Sequence, residues 1–199
     1  MNHSLIEKVK NFIVGYYKDN TPDTITYHNI EHIKAVVKNI KKIAANSKVP
    51  NDELELIIIA GWFHDIGHFE VWNNHENISI NFAVEFLQKE DYDSKKIEII
   101  KNCILATKIP HSPKNILEKI ICDADILHSG TDKFFTESEK LKIEKEKRSN
   151  SKISRRNWLI NSIEFLEQNK FFTDYAKLKF TDKKLENLQI LRKQLDELS

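Results

Sequence analysis

One stretch decides the fold, and it reads LIIIAGWFHDIGH over residues 56–68. The predicted helix that contains its apolar part, residues 53–64, is apolar almost all round, which is the pattern of a helix buried on every side. The adjacent residues His64 and Asp65 follow at the C-terminal end of that helix. A pair in this place can direct an imidazole and a carboxylate into a cavity with apolar walls. The stretch therefore predicts a central buried helix with candidate metal ligands at its end.

Helical periodicity recurs along almost the whole chain, and no alternating pattern predicts a strand. The 199 residues include only 4 Gly and 4 Pro, whereas the two make up roughly 12% of average usage, which disfavours collagen-like and turn-rich β classes. We expect one all-α domain over residues 1–199, a bundle of roughly seven to nine helices with its core over about 24–175. The predicted helices span 4–19, 28–45, 53–64, 75–89, 94–107, 115–128, 132–147, 154–169 and 181–198, and the first and last pack as extensions.

Charge and cysteine content exclude several classes of function. The 31 basic and 30 acidic residues give a net charge of +1, so the molecule as a whole has no electrostatic preference for nucleic acid or anionic membranes. Cys103 and Cys122 cannot build a disulfide framework, and no CxxC zinc pair is present. The longest apolar run, residues 56–63, is far shorter than the ~20 residues of a membrane span, and the N-terminus lacks a signal-peptide core. We expect a cytoplasmic protein that binds neither membrane nor nucleic acid.

Two further motifs contain candidate site residues. The first is YHNIEH over residues 27–32, where His28 and His32 are four apart at the start of a predicted helix and are expected on one face of it. The second is CDAD over residues 122–125, where Asp123 and Asp125 interrupt an apolar helix. Unpaired carboxylates are costly to bury, and a metal ion is one common way to compensate them.

Each motif alone has an ordinary structural explanation. A histidine beside an apolar face is more often a hydrogen-bonded core residue, a His-Asp dipeptide arises by chance, and Asp123 with Asp125 can form a helix cap. Their order along the chain favours a metal site, because two imidazoles and two carboxylates supply a complete ligand set for a divalent ion. This set suits Mn, Fe, Co, Ni or Zn, and Mg if water completes the shell, with one or two ions bound.

This order of residues resembles the HD superfamily of metal-dependent phosphohydrolases, whose ligands follow the pattern H…HD…D, and in particular its small predicted bacterial members. The resemblance implies an HD-domain helical bundle around a metal site, with His32, His64, Asp65 and Asp125 as ligands. Asp125 is preferred because the last aspartate of the superfamily usually follows a small residue and precedes a basic or aliphatic one. Asp123 is the alternative ligand and otherwise supports the site from beside it.

The motifs YHNxxH and HDxxH are also similar to those of the cyclic-nucleotide phosphodiesterases. This similarity implies that His28 is the general acid that protonates the leaving oxygen, and His68 is the other candidate for that role. Two-metal members hold their second ion with additional histidines, for which His75 and His111 are the candidates here. The simpler alternatives are that His75 caps its helix and that His111 is solvated in a connector between prolines.

The expected function is hydrolysis of a phosphate ester in a nucleotide or another small phosphorylated compound, by a phosphomonoesterase or a phosphodiesterase. A metal-activated water would attack, held by Asp65. Thr107 and Lys108 are candidates for contact with the substrate phosphate, although they also fit a helix terminus with an exposed lysine. The alternatives are a catalytically weak nucleotide-binding or sensor module and a di-iron oxygenase, which needs both His75 and His111 as ligands. The oligomeric state is left open.

Overall fold

The computed structural model describes residues 3–198, which form helices and connecting turns without a strand. The helices are α1 His3–Asn20, α2 Ile30–Asn46, α3 Asn51–Phe63, α4 His75–Lys89, α5 Ser94–Ala106, α6 Ile116–Asp125, α7 Phe134–Ser149, α8 Arg155–Gln168 and α9 Asp174–Asp196. Two 3-10 turns, Ile66–Phe69 and Leu127–Gly130, follow α3 and α6. The prediction of an all-α fold with seven to nine helices is confirmed.

Helix α3 lies at the centre of the bundle and packs against α1, α2, α4, α5 and α6. Its residues 55–63 are all buried, so a helix that is apolar on every side has neighbours on every side. Gly61 allows α2 to approach closely, because a Cβ atom there would overlap the side chain of Ile40. Burial of α3 places its C-terminal end, with His64 and Asp65, inside the molecule.

A second, smaller group of apolar side chains joins the C-terminal helices. It consists of Phe134, Leu159, Leu166, Leu188 and Leu191 from α7, α8 and α9. Helices α8 and α9 pack against each other, and α9 also contacts the turn that follows α6. This arrangement places α7 and α8 opposite the ends of α3 and α6, which leaves a cavity between them.

Three differences from the predicted helix boundaries affect the surroundings of the site. Helix α2 begins at Ile30 rather than 28, because the Oδ1 atom of Asn29 accepts hydrogen bonds from the backbone N–H groups of Glu31 and His32 and so caps the helix. His28 therefore precedes the helix and does not share a helical face with His32. Helix α6 ends at Asp125 rather than 128, and α9 begins at Asp174 rather than 181.

No helix within residues 3–198 has both the length and the apolarity that crossing a membrane requires.

Candidate metal centre

His64 and Asp65 occupy the point where α3 ends and the 3-10 turn begins. The Nδ1 atom of His64 donates a hydrogen bond to the carbonyl oxygen of Gly61, one turn earlier, at 2.9 Å. This bond fixes the orientation of the ring and keeps the proton of the neutral form at Nδ1, so the Nε2 atom can serve as a ligand once an ion takes the place of its proton.

Four side chains converge on one point at this end of α3: His32 from α2, His64 and Asp65, and Asp125 at the end of α6. We call them the quartet. The Nε2 atom of His32 lies 3.1 Å from Asp65 Oδ2 and 3.3 Å from Asp125 Oδ1. The Nε2 atom of His64 lies 3.2 Å and 3.6 Å from the same two oxygens. The four predicted ligands are therefore brought together in space.

The geometry of the quartet fits a divalent ion. Ligand atoms about 2.1 Å from a common ion lie roughly 3.0 Å apart in octahedral and roughly 3.4 Å apart in tetrahedral coordination. Three of the four observed separations, 3.1–3.3 Å, lie within this interval, and the fourth, 3.6 Å, lies just above it. The Nε2 atoms of His32 and His64 are buried and make no hydrogen bond. A buried ring nitrogen without a partner is costly, and coordination of an ion would satisfy it.

The charges of the quartet also favour the binding of a cation. Burial raises the pKa values of the Asp65 and Asp125 carboxyls, but the neighbouring imidazoles of His64 and His32 hold both well below their usual range. Burial lowers the pKa of His32, but contact with the Asp125 and Asp65 carboxylates raises it to about 9. Both carboxylates are thus charged at neutral pH in a buried place beside a protonated His32, and a divalent ion would displace that proton and become their counter-charge.

Asp65 also faces a second group of possible ligands. Its Oδ1 atom lies 3.3 Å from Nε2 of His75 and 4.0 Å from Nε2 of His68. Helix α4, which begins at His75, comes this close because Gly67 has no side chain: a Cβ atom there would overlap the backbone carbonyl of His75. Asp65 therefore presents one oxygen to the quartet and the other to His75, the arrangement of a carboxylate that can bridge two ions.

Three imidazole rings stack beside this carboxylate. The ring of His68 lies between that of His28, with centroids 3.7 Å apart, and that of His75, with centroids 3.6 Å apart. Burial lowers the pKa of His68 well below its ordinary value, and the neighbouring imidazoles of His28 and His75 add to this effect. His68 is therefore neutral at physiological pH. The stack brings both predicted proton donors, His28 and His68, to the edge of the site.

Glu144 on α7 is a site residue that sequence reasoning missed. It is fully buried, and its Oε1 atom accepts a hydrogen bond of 2.5 Å from Nδ1 of His28. Its Oε2 atom accepts from the backbone N–H groups of residues 26–28 at 2.7–3.0 Å. Burial raises the pKa of Glu144, but the bonds from His28 lower it to about 2. The only available signal was its position three residues after Leu141, on the helix face that continues from Phe134 and Ser138.

Asp123 and Asp125 have different partners. Asp123 is fully buried, and its carboxylate accepts hydrogen bonds from the backbone N–H groups of Phe172 and Thr173 and from the Thr173 hydroxyl, at 2.7–2.8 Å. Thr173 in turn caps α9 by accepting from the N–H of Ala176. Asp123 therefore anchors the start of α9, while Asp125 belongs to the quartet.

The remaining predicted residues lie at the edge of the site. Thr107 and Lys108 line the cavity; the Thr107 hydroxyl donates to the carbonyl of Ile104, and the Lys108 ammonium donates to Asn74 Oδ1 at 2.8 Å. His111 is not brought into either ligand group, because it stays in the connector with its Nε2 atom at 3.1 Å from the Thr107 carbonyl.

A cavity of about 660 Å³ opens above the quartet. Its floor is formed by Asp65, Asp125 and the imidazole stack, and its opposite wall is formed by α7 and α8. That wall combines the apolar side chains of Phe134, Leu141, Trp158 and Phe165 with the polar side chains of Glu137, Ser138, Lys145, Asn161 and Ser162. A cavity with apolar surfaces and a few polar groups is typical of a small-molecule site.

The family model for the HD domain matches residues 29–130, about half of the chain. A predicted HD superfamily hydrolase from an uncultured Thermotogales bacterium shares the fold with a TM-score of 0.62 and 19% identity, over 97% of this chain and 92% of that chain. A protein from Lactobacillus plantarum shares it with a TM-score of 0.71 and 11% identity, over 100% of this chain and 96% of that chain. None of the curated proteins gives a significant match.

The matched region contains the whole quartet, since it begins before His32 and ends after Asp125. The resemblance based on the order H…HD…D is therefore confirmed, and with it the presence of side chains able to hold a divalent metal. The chain belongs to the HD domain family, a superfamily of metal-dependent hydrolases.

Proposed function

We propose that the protein is a metal-dependent phosphohydrolase that hydrolyses a phosphate ester of a nucleotide or another small phosphorylated compound. The observation that carries this proposal is the position of the quartet, with paired ligand atoms 3.1–3.6 Å apart, at the floor of a cavity of about 660 Å³. A buried ligand set that opens onto an empty cavity leaves room for substrate beside the ion, as catalysis requires.

The quartet would hold the first ion, and Asp65 Oδ1 with His75 would hold a second. When bound, a divalent ion lowers the pKa of a coordinated water and polarises the phosphoryl oxygens. Asp65 keeps the attacking water in place through a carboxylate that faces both ligand groups.

The proton for the leaving oxygen comes from His28 in this proposal. The Nδ1–H group of His28 donates a hydrogen bond to Glu144. A proton on the Nε2 atom of the same ring would pass to the departing alkoxide. Glu144 positions the ring, since it also binds the backbone N–H of His28 at 3.0 Å. His68 is less suited to this role, because its Nδ1 atom has no hydrogen-bond partner and burial keeps the ring neutral.

The substrate phosphate would lie near Lys108 and Thr107, which line the side of the cavity. Lys108 is exposed and is held near the opening by Asn74, so its ammonium group can attract an anionic ligand. Thr107 already donates its hydroxyl proton to Ile104 and can offer only its oxygen lone pairs. We therefore assign phosphate contact to Lys108 rather than to Thr107.

The test combines metal analysis with a substrate screen. Purified protein is loaded with each divalent metal, dialysed, and assayed for bound metal and for turnover of nucleotides, phosphomonoesters and phosphodiesters. Wild type should retain metal and hydrolyse at least one ester, whereas Asp65→Ala should lose both. Asp52→Ala, the same substitution at an exposed residue in the first turn of α3, is the matched control and should change neither.

Two results would contradict the proposal. Metal-dependent turnover that persists in Asp65→Ala would exclude the quartet as the catalytic centre. Nucleotide binding by wild type without turnover of any ester would favour a sensor module instead. The di-iron oxygenase alternative has no supporting observation, because His111 lies outside both ligand groups.

A further inference from the structure

Lys145 on α7 lies in the wall of the cavity opposite the quartet. Its Nζ atom is 5.6 Å from the ring centroid of Trp72 and 5.5 Å from that of Trp158. The Trp158 ring is fixed in turn, because its Nε1 atom donates to the Ser138 hydroxyl at 3.0 Å. The ammonium group is thus held between two indole rings, one from each side of the cavity.

In the described part of the chain, Lys145 has no acidic partner, unlike Lys140 and Lys142 on the same helix. Lys140 pairs with Glu137 at 2.8 Å, and Lys142 lies 3.8 Å from Glu139. Within residues 3–198, no carboxylate oxygen lies within 4.0 Å of the Lys145 ammonium. Burial lowers the pKa of Lys145, as expected for an ammonium group that is partly removed from water without a counter-charge.

The position of Lys145 separates it from the reacting ester. The Trp72 ring contacts both sides, with its centroid 5.5 Å from that of His68 and 5.6 Å from Lys145 Nζ, whereas Lys145 itself lies in the wall opposite the quartet. Arg148 also packs over Trp72, at 5.3 Å, and donates to the His68 carbonyl, which fixes the indole in this place. A phosphate at the quartet therefore leaves Lys145 free to bind another group.

We propose that Lys145 is a specificity residue that binds a second anionic group, carried by the substrate on the far side of the cavity from the ester that is hydrolysed. The substrate would then be a phosphate ester whose apolar or aromatic body lies against Leu141 and Phe165 and ends in a carboxylate or a further phosphate. The hydrolysed ester in this statement rests on the proposed function, whereas the binding of the second anion does not.

A purely structural role for Lys145 makes a different prediction. If the ammonium only holds the two indole rings together, its removal weakens every ligand by the same factor. If it binds the second anion, removal weakens only ligands that carry that anion. A comparison of ligands that differ in one anionic group separates the two roles.

The probes are phenylphosphonate and the 2-, 3- and 4-carboxyphenylphosphonates, whose C–P bond is not hydrolysed. Calorimetric titration of the metal-loaded protein then measures Kd without any need for turnover, so an inactive protein still tests the role of Lys145. At least one carboxylated probe should bind wild type about tenfold more tightly than phenylphosphonate, as a charge-assisted contact allows.

Substitutions of Lys145 distinguish anion binding from a structural role. Lys145→Met should abolish the preference for the carboxylated probe and leave the Kd of phenylphosphonate within about twofold. Lys145→Gln, with a polar end, should do the same, whereas Lys145→Arg should retain most of the preference. Lys142→Met, on the same helix but outside the cavity, is the control and should match wild type. Equal affinity of wild type for all probes, no binding of any probe, or equal weakening of all probes by Lys145→Met would overturn the proposal.

Discussion

The clearest test of the site exchanges the two aspartates of α6 for asparagine one at a time. Asp125→Asn removes the charge from an oxygen that lies 3.3 Å from His32 Nε2 and 3.6 Å from His64 Nε2. Loss of a partner that only supports a ligand already costs up to about 100-fold in metal affinity, so loss of the ligand charge should cost at least as much. This corresponds to about 2.7 kcal/mol or more of metal-binding free energy.

Asp123→Asn should instead lower the stability of the protein and leave its metal affinity nearly unchanged. Its carboxylate accepts three hydrogen bonds of 2.7–2.8 Å from Phe172 and Thr173, and an amide replaces one acceptor by a donor that faces these N–H groups. With roughly 1–3 kcal/mol for each buried group left unpaired, we expect a loss of about 3 kcal/mol in the free energy of unfolding. For a chain of this size, that is a fall of about 10 °C in Tm. Metal affinity should stay within about threefold of wild type.

Calorimetric metal titration of chelator-treated protein measures the affinity, and thermal unfolding of the same metal-free samples measures the stability. The pair of variants controls each other, because both replace a carboxylate on one helix by the amide of the same size. Loss of metal binding in Asp123→Asn with retention in Asp125→Asn would refute the assignment of the last ligand and the anchoring role of Asp123 together.

Three other predictions concern Glu144, Gly67 and His75. The pKa of Glu144 lies at about 2 against an ordinary value of 4.5, so its contribution of about 3 kcal/mol to stability is present above pH 4.5 and is lost as the pH falls towards 2. Urea denaturation between pH 5 and pH 3 should show that the free energy of unfolding falls with pH more steeply in wild type than in Glu144→Gln. The same pH dependence in both proteins would contradict the bond to His28. Gly67→Ala places a Cβ against the His75 carbonyl and should lower the free energy of unfolding by about 2 kcal/mol. An unchanged free energy of unfolding would show that α4 can move away from the added Cβ without loss of stability. His75→Ala should reduce the bound metal from two ions to one per chain by elemental analysis, and an unaltered metal content would exclude His75 as a ligand.

The fold and the quartet could be predicted because their signals are local. The apolar residues of α3 indicate a buried helix by themselves, and His64 with Asp65 lies directly at its end. His32 and Asp125 each lie in a short motif at a helix terminus. A pattern within ten or so residues is enough to place each of them, and the bundle then brings the ligands together.

What the sequence could not predict depends on contacts between distant segments. The spacing of Glu144 after Leu141 places it on one face of α7, but nothing within the helix shows that this face meets the site. Its partner His28 is 116 residues away. The start of α9 at Asp174 depends on Asp123 binding Thr173 across 50 residues. His111 lies in a non-helical connector, where periodicity does not determine the direction of a side chain.

The bonds from Glu144 to residues 26–28 have a consequence for how the site is assembled during synthesis. All four quartet residues have been translated once the chain reaches Asp125, whereas Glu144 follows 19 residues later. The four groups that would bind metal are therefore complete in the chain before the group that orients His28 is added. A chain that ended between these two residues would contain all four predicted ligands and lack the partner of His28.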